Sequence, residues 1–141
     1  MSQQAKQAVI RFNREVIERG NNDSDAFFDP DFINHSAPPE SDNGAAGVLF
    51  VFNELLRPAI PDLRVDIVHQ TAENDLVSTF KRFVGTHQGE LFGVQPSHGV
   101  IEIEVMDVVR IRDGRYLEHW GLTNLPDVLR SLTAKGDSNH D

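Results

Sequence analysis

The sequence of 141 residues contains no cysteine, one tryptophan, one tyrosine and no long apolar run. Without cysteine, the chain has no disulfide, no thiolate metal site and no cysteine nucleophile. Basic residues are also scarce, since 13 Lys and Arg stand against 22 Asp and Glu, for a formal net charge of −9. This acidic balance disfavours nucleic acid and anionic membranes as partners. No stretch approaches the roughly 20 apolar residues that span a membrane.

The chain does have enough apolar side chains for one hydrophobic core. Hydrophobic residues make up 39% of it, and a chain of this length suits a single domain. We find no internal repeat and no dividing linker. The N-terminus lacks the charged start and apolar stretch of a secretory signal. We therefore expect one cytoplasmic domain over residues 1–141, with a polar tail at about 136–141.

The hydrophobic pattern changes from helical to strand-like near residue 62. Apolar residues first recur at three- and four-residue steps, and later alternate with polar residues. The pattern predicts helices at about 3–19, 24–28, 45–57 and 127–132, an extended piece at 32–35, and strands from 63 to a turn at 73–75, then at 76–88, 100–112 and 116–123. Helices followed by a meander of strands are typical of an α+β fold with an antiparallel sheet.

The strand predicted at 100–112 carries the clearest chemical signal. Its odd-numbered residues are aliphatic except Asp107. Because side chains of a strand alternate between two faces, this odd row should face the core. A buried carboxylate with a raised pKa can serve as a general acid or base near neutral pH. Alternatively, Asp107 pairs with an arginine or accepts backbone donors and only stabilises the sheet.

The residue opposite Asp107 depends on the turn formed by Asp113 and Gly114. A two-residue loop there places Trp120 opposite Asp107, whereas a bulge at Gly114 places His119 there. We favour the two-residue loop. It predicts that three side chains of the last strand face the core: Tyr116, Glu118 and Trp120.

Several motifs occur in a recognisable order along the chain. The second half contains GTHQGE at 85–90, MDVVR at 106–110 and DGRYLEHW at 113–120. The first half contains FNREVI at 12–17, Asp31-Phe32 followed by His35, and Pro61-Asp62-Leu63. Over nearly the whole chain, these motifs resemble the SnoaL-like polyketide cyclases, also described as predicted ester cyclases.

This resemblance implies the cone-shaped α+β fold shared with nuclear transport factor 2, ketosteroid isomerases and scytalone dehydratase. Helices there close one side of a curved sheet around an apolar pocket. The resemblance also implies that an aspartate at the position of Asp107 is the acid/base of an intramolecular aldol ring closure. Ketosteroid isomerases are more remotely similar, with Asp and Trp at the positions of Asp107 and Trp120. The chain has no tyrosine in its first helix, which disfavours steroid isomerisation.

The chain departs from the family pattern at two places near the expected mouth of the pocket. Gln-Pro-Ser-His at 95–98 replaces the usual Pro-Pro-Thr-Gly, and Asn124 replaces a frequent Asp. Both departures leave Asp107 in place and point to a different substrate, since one fold supports many reactions.

Histidines supply the other candidate catalytic groups. A neutral His35 can take a proton from an activated carbon, or it only caps a loop. His87 of the GTHQG motif positions a substrate oxygen or satisfies a turn. We expect Asp107, His35 and His87 to be catalytic. The expected pocket walls are Trp120, His119, Phe12 and Phe52.

We hypothesise a cofactor-free enzyme that acts on an apolar carbonyl compound, such as a polyketide-like ester, with Asp107 and His35 exchanging protons beside an enolate. No metal is expected, because the candidate residues lack metal-ligand spacing. Isomerase, dehydratase or epoxide-hydrolase activity in the same pocket, or a non-catalytic ligand-binding or dimerisation module, are alternatives. Val100, Met106 and Val108 on the other face of the long strand predict a homodimer or a higher homo-oligomer.

Overall fold

The computed structural model of the protein describes residues 2–138. Within this range the elements are α1 (Ser2–Phe12), α2 (Ser24–Phe27), β1 (Phe28–Asn34), α3 (Ala45–Phe50), α4 (Arg57–Ala59), β2 (Arg64–Glu73), β3 (Leu76–Thr86), β4 (Val100–Arg112), β5 (Arg115–Thr123) and α5 (Leu125–Ser138). Wider π-helical turns extend α1 through Asn13–Glu18 and join α3 to α4 through Val51–Leu56. None of the helices in residues 2–138 is long and apolar enough to cross a membrane.

The five strands form one sheet in the order β1-β5-β4-β3-β2. Strands β2 to β5 pair with one another in antiparallel orientation, whereas β1 pairs with β5 in parallel. The predicted α+β class is confirmed, whereas the purely antiparallel sheet is wrong at this edge. The sequence pattern also placed residue 28 in a helix that ends at Pro30, yet β1 includes Pro30. An edge strand tolerates proline because one side of it needs no ladder hydrogen bond.

The core lies between α1 and one face of the sheet, which we call the inner face. On β4 this face carries the odd-numbered row, and Ile101, Ile103 and Val109 are buried as predicted. Val9 and Val16 of the first helix and its π-helical extension are fully buried in the same cluster. The alternation along β4 therefore fixes which side chains face the helices.

The β4–β5 hairpin begins as predicted but continues in a different register. The two turn residues at 113–114 both have positive φ, 54° and 76°, as in a type I′ turn. Arg112 accordingly pairs with Arg115. Farther along, Asp107 lies opposite Gly121, so neither of the two predicted registers is correct.

A β-bulge at Leu117 explains the difference. The register shifts by one residue between the pair that contains Tyr116 and the pair that contains Glu118. An extra residue reverses the alternation of side chains beyond it. Tyr116 therefore faces the core as predicted, and His119 does so as well. Glu118 and Trp120, which were expected on the core side, face outward.

The C-terminal helix is longer than the sequence indicated. α5 runs from Leu125 to Ser138, whereas the pattern predicted residues 127–132. Residues 136–138 of the predicted polar tail are thus helical, and residues 139–141 lie outside the described range.

Candidate active site

A cavity of about 780 Å³ lies between the helices and the inner face of the sheet. Its wall is mostly apolar, and Phe12 and Phe52, both predicted to line a pocket, contribute to it. A small number of polar side chains interrupt this wall, as is typical of small-molecule sites. The ionisable ones on the strands are Lys81, Asp107, Tyr116 and His119.

Asp107 is 3% exposed and interacts with two basic side chains. Its Oδ2 atom lies 3.1 Å from Lys81 Nζ and 3.5 Å from His119 Nε2. Burial raises the pKa of Asp107, but the charge of Lys81 and the interaction with His119 outweigh it, so that the pKa lies below its ordinary value. The expectation of a raised pKa is therefore wrong. The carboxylate is ionised near neutral pH and can accept a proton.

Lys81 reaches Asp107 from the neighbouring strand β3. Like Asp107, it is only 3% exposed, and its Nζ donates a hydrogen bond of 2.8 Å to Asn13 Oδ1. Asn13 Nδ2 in turn donates to Val9 O at 2.8 Å. Lys81 and Asn13 were not among the predicted site residues. The signal was present, because Lys81 is the only charge on the inner row of β3, just as Asp107 is on β4.

The tautomer of His119 follows from its contact with Asn34. His119 Nδ1 lies 2.9 Å from Asn34 Oδ1, which also accepts the backbone N–H of Ser36 at 3.0 Å. Because a backbone N–H needs an acceptor, this atom of Asn34 is its oxygen, and His119 Nδ1 carries a proton. Nε2 then faces Asp107 Oδ2 and, when it also carries a proton, donates to it, which is the interaction that lowers the pKa of Asp107. A proton taken up at Nε2 is shared with the carboxylate.

Two predicted site residues, His35 and Trp120, lie on the outer face of the sheet. His35 Nε2 lies 2.9 Å from Glu118 Oε2, and the His35 and Trp120 rings stack with centroids 4.8 Å apart. Neither residue lines the cavity. Asn34 points inward, so its neighbour His35 points outward by alternation. Trp120 points outward because of the bulge in β5.

His87 is fully buried but does not line the cavity. Its Nδ1 accepts the backbone N–H of Ser97 at 3.1 Å. Its own backbone binds Gly99 and His98, each through a hydrogen bond of 2.9 Å. These contacts anchor the segment that leads into β4. Of the two readings of His87, the structure therefore favours satisfaction of a turn.

Within residues 2–138, no group of three or more His, Asp or Glu side chains is placed to hold a metal ion. The ionic cluster of the cavity instead combines one carboxylate with an ammonium group and an imidazole. This donor set suits proton transfer, since the ammonium group would repel a cation.

Comparison with known proteins gives a family match over most of the chain. The model of the family described as SnoaL-like polyketide cyclase matches residues 7–132. No curated protein matches the chain.

Solved structures match it over nearly their full length. A candidate polyketide cyclase from Acidithiobacillus ferrooxidans is 26% identical, with a TM-score of 0.80 over 95% of this chain and 97% of that one. IdmH, a candidate polyketide cyclase from Streptomyces antibioticus, is 25% identical, with a TM-score of 0.79 over 92% and 99%. AclR, a candidate hydroxylase from Streptomyces galilaeus, is 23% identical, with a TM-score of 0.81 over 95% and 98%. These likenesses confirm the predicted fold class.

Proposed function

Because the chain belongs to the SnoaL-like polyketide cyclase family, we propose that it is an enzyme that performs cofactor-free acid–base chemistry on an apolar carbonyl compound. The reaction class is an aldol-type ring closure, or a related isomerisation, of a polyketide-like ester. The observation that carries this proposal is the ionised Asp107, held between Lys81 and His119 in the wall of an apolar cavity. Proton transfer by a positioned side chain is the chemistry that such a group supplies.

In the proposed reaction, the Asp107 carboxylate takes a proton from the carbon next to a substrate carbonyl. The electron pair of that C–H bond moves into the enolate. The enolate carbon then forms a bond with a second carbonyl carbon, and the resulting alkoxide takes a proton back from the Asp107–His119 pair. His119 thus replaces His35 as the proposed partner of Asp107. Lys81 keeps Asp107 ionised between turnovers.

Exchange of substrate protons with solvent tests the proposal without knowledge of the natural substrate. A panel of enolisable ketones and esters, including 2-tetralone, is incubated in D₂O, and deuterium uptake is followed by NMR. We expect the wild type to accelerate exchange of some panel members and Asp107→Asn to reduce that rate by about 100-fold or more. Circular dichroism verifies the fold of each variant.

The matched control is Asp66→Asn, because Asp66 is an exposed aspartate on β2. This variant should catalyse the exchange of substrate protons at the wild-type rate. Equal exchange by the wild type and Asp107→Asn would contradict the proposal and favour a non-catalytic ligand-binding domain.

We also propose that the protein acts as a homodimer through the outer face of its sheet. Phe80, Met106 and Leu122 stand in register across β3, β4 and β5, and Met106 and Leu122 are 50% and 79% exposed. The charges of the adjacent row, Arg82 and Glu104, pair at 3.7 Å, and the more distant Arg110 and Glu118 pair at 2.9 Å. A second copy would therefore cover an apolar row without leaving those charges unpaired.

A further inference from the structure

Within residues 2–138, two buried polar atoms of the cavity wall have no hydrogen-bond partner. They are the hydroxyl oxygen of Tyr116 and Oδ1 of Asp107, the carboxylate oxygen that contacts neither Lys81 nor His119. Buried polar atoms in folded proteins are normally paired, so each exception calls for an explanation. Because Tyr116 and Asp107 both line the cavity, a bound compound is able to supply both missing partners.

The ring of Tyr116 is held in place by its neighbours. Tyr116 is 3% exposed and stacks on Phe12 with ring centroids 3.9 Å apart and an interplanar angle of 13°. Phe28 packs against the same ring edge-on, with centroids 6.3 Å apart. These contacts prevent the hydroxyl from turning toward solvent. The bulge at Leu117 then brings His119 to the same side of β5 as Tyr116.

The two unpaired atoms have complementary hydrogen-bonding roles. Burial, together with the nearby negative charge of Asp107, raises the pKa of Tyr116 well above its ordinary value. The phenol therefore keeps its proton and donates, whereas the ionised Asp107 only accepts. A carbonyl oxygen fits the phenol, and an acidic C–H or a hydroxyl group fits the carboxylate.

We propose that Tyr116 donates a hydrogen bond to the carbonyl oxygen of the substrate, and that the cavity selects apolar compounds in which this carbonyl neighbours an acidic C–H or a hydroxyl group. The inference rests on the proposed function for the role of Asp107 as base. When Asp107 removes the C–H proton, the electron pair moves onto the carbonyl oxygen. The hydrogen bond from Tyr116 stabilises the charge that develops there.

Ligand binding tests the donor role of Tyr116 separately from catalysis. The probe is 2-tetralone, and its matched control is tetralin, which has the same rings without the carbonyl oxygen. We expect Tyr116→Phe to weaken the binding of 2-tetralone about tenfold, the loss expected of one hydrogen bond, and to leave the binding of tetralin unchanged. Isothermal titration calorimetry gives both affinities.

Thermal unfolding separates this role from a structural one. Tyr116→Phe removes a buried hydroxyl that pairs with no atom of the described part of the chain, so we expect its Tm to equal or exceed that of the wild type. Proton exchange of 2-tetralone in D₂O should nevertheless fall by about 100-fold, as it does when a donor to a developing oxyanion is removed. A lower Tm together with equally weakened binding of both probes would contradict the inference.

The two proposals fail in different ways. If Asp107→Asn leaves proton exchange unchanged while Tyr116→Phe weakens only the binding of 2-tetralone, the donor role stands and the proposed catalysis is wrong. If Asp107→Asn abolishes exchange while Tyr116→Phe changes neither exchange nor 2-tetralone binding, Tyr116 is not the donor and this inference is overturned.

Discussion

At the scale of single residues, the hydrogen side chain of Gly121 determines where the His119 ring lies. A Cβ at position 121 would come within 2.8 Å of His119 Cε1 and 3.7 Å of Asp107 Cβ. The imidazole is bonded to Asn34, so it moves only if that bond breaks. Gly121 thus leaves the space in which His119 approaches Asp107.

We expect Gly121→Ala to displace His119 and to slow proton exchange of 2-tetralone at least about tenfold. Overpacking should also lower the free energy of unfolding by about 1–3 kcal/mol. Exchange in D₂O and urea unfolding measure the two effects. Gly99→Ala is the control, because the nearest atom to its Cβ would be Ser97 Oγ at 3.8 Å. If Gly121→Ala catalysed the exchange of 2-tetralone protons at the wild-type rate, the proposed role of His119 would be contradicted.

Sequence patterns identify some of the site residues and misplace others, for definite reasons. Asp107 was recognisable because it interrupts an aliphatic row. Lys81 carries the same signal on β3 and was overlooked. Trp120 was placed in the cavity because unbroken alternation was assumed along β5 beyond the turn. His119, the other predicted wall residue of this strand, does line the cavity. A bulge at Leu117 leaves no mark in the composition of the strand, since it depends on the pairing with β4.

At the scale of elements, one ionic contact ties the edge strand β1 to the end of β4. Arg112 Nη2 lies 2.6 Å from Asp29 Oδ1, and Arg112 Nε lies 2.9 Å from Asp29 Oδ2. This two-point contact holds the pKa of Asp29 at about 2, against an ordinary value of 3.8. The folded protein therefore stabilises the ionised form of Asp29. The contribution of this carboxylate to stability is fully present above about pH 4 and is lost as the pH falls toward 2.

We therefore expect Arg112→Met to unfold more easily than the wild type at pH 5, with a difference that shrinks as the pH falls toward 2. Urea unfolding between pH 2 and pH 5 measures this effect. Arg64→Met is the control, since Arg64 pairs with the exposed Asp66 at 3.3 Å, and exposed pairs contribute little. If the free energies of unfolding of the wild type and Arg112→Met differed by the same amount at every pH, the ionic contact would not account for the stability of β1.

Periodicity located the long strands well, but it shortened α5 and recognised β1 only in part. β4 covers the predicted range 100–112, and β3 and β5 differ from their predictions by one or two residues at an end. Alternation over many residues is a strong signal because one face is buried. β1 was recognised only in part, because proline usually ends a helix or strand. The sequence does not reveal that β1 lies at the edge of the sheet, where proline is tolerated.

At the scale of the whole molecule, the apolar row on the outer face of the sheet predicts a homodimer that a single substitution can disrupt. We expect the wild type to sediment as a dimer, and Met106→Lys to sediment as a monomer, because it places a charge in the middle of the apolar row. Gln7→Lys adds the same charge on the exposed side of α1 and should remain dimeric. A monomeric wild type, or a dimeric Met106→Lys, would contradict this interface.

The bulge at Leu117 also means that the chemistry of the cavity depends on the number of residues in β5 as well as on their types. Deletion of this one residue would restore continuous alternation along the rest of β5. Glu118 and Trp120 would then move to the cavity side, and His119 would move to the outside. Relatives that gain or lose a residue here can therefore exchange a basic wall for an acidic, aromatic one without substituting any side chain.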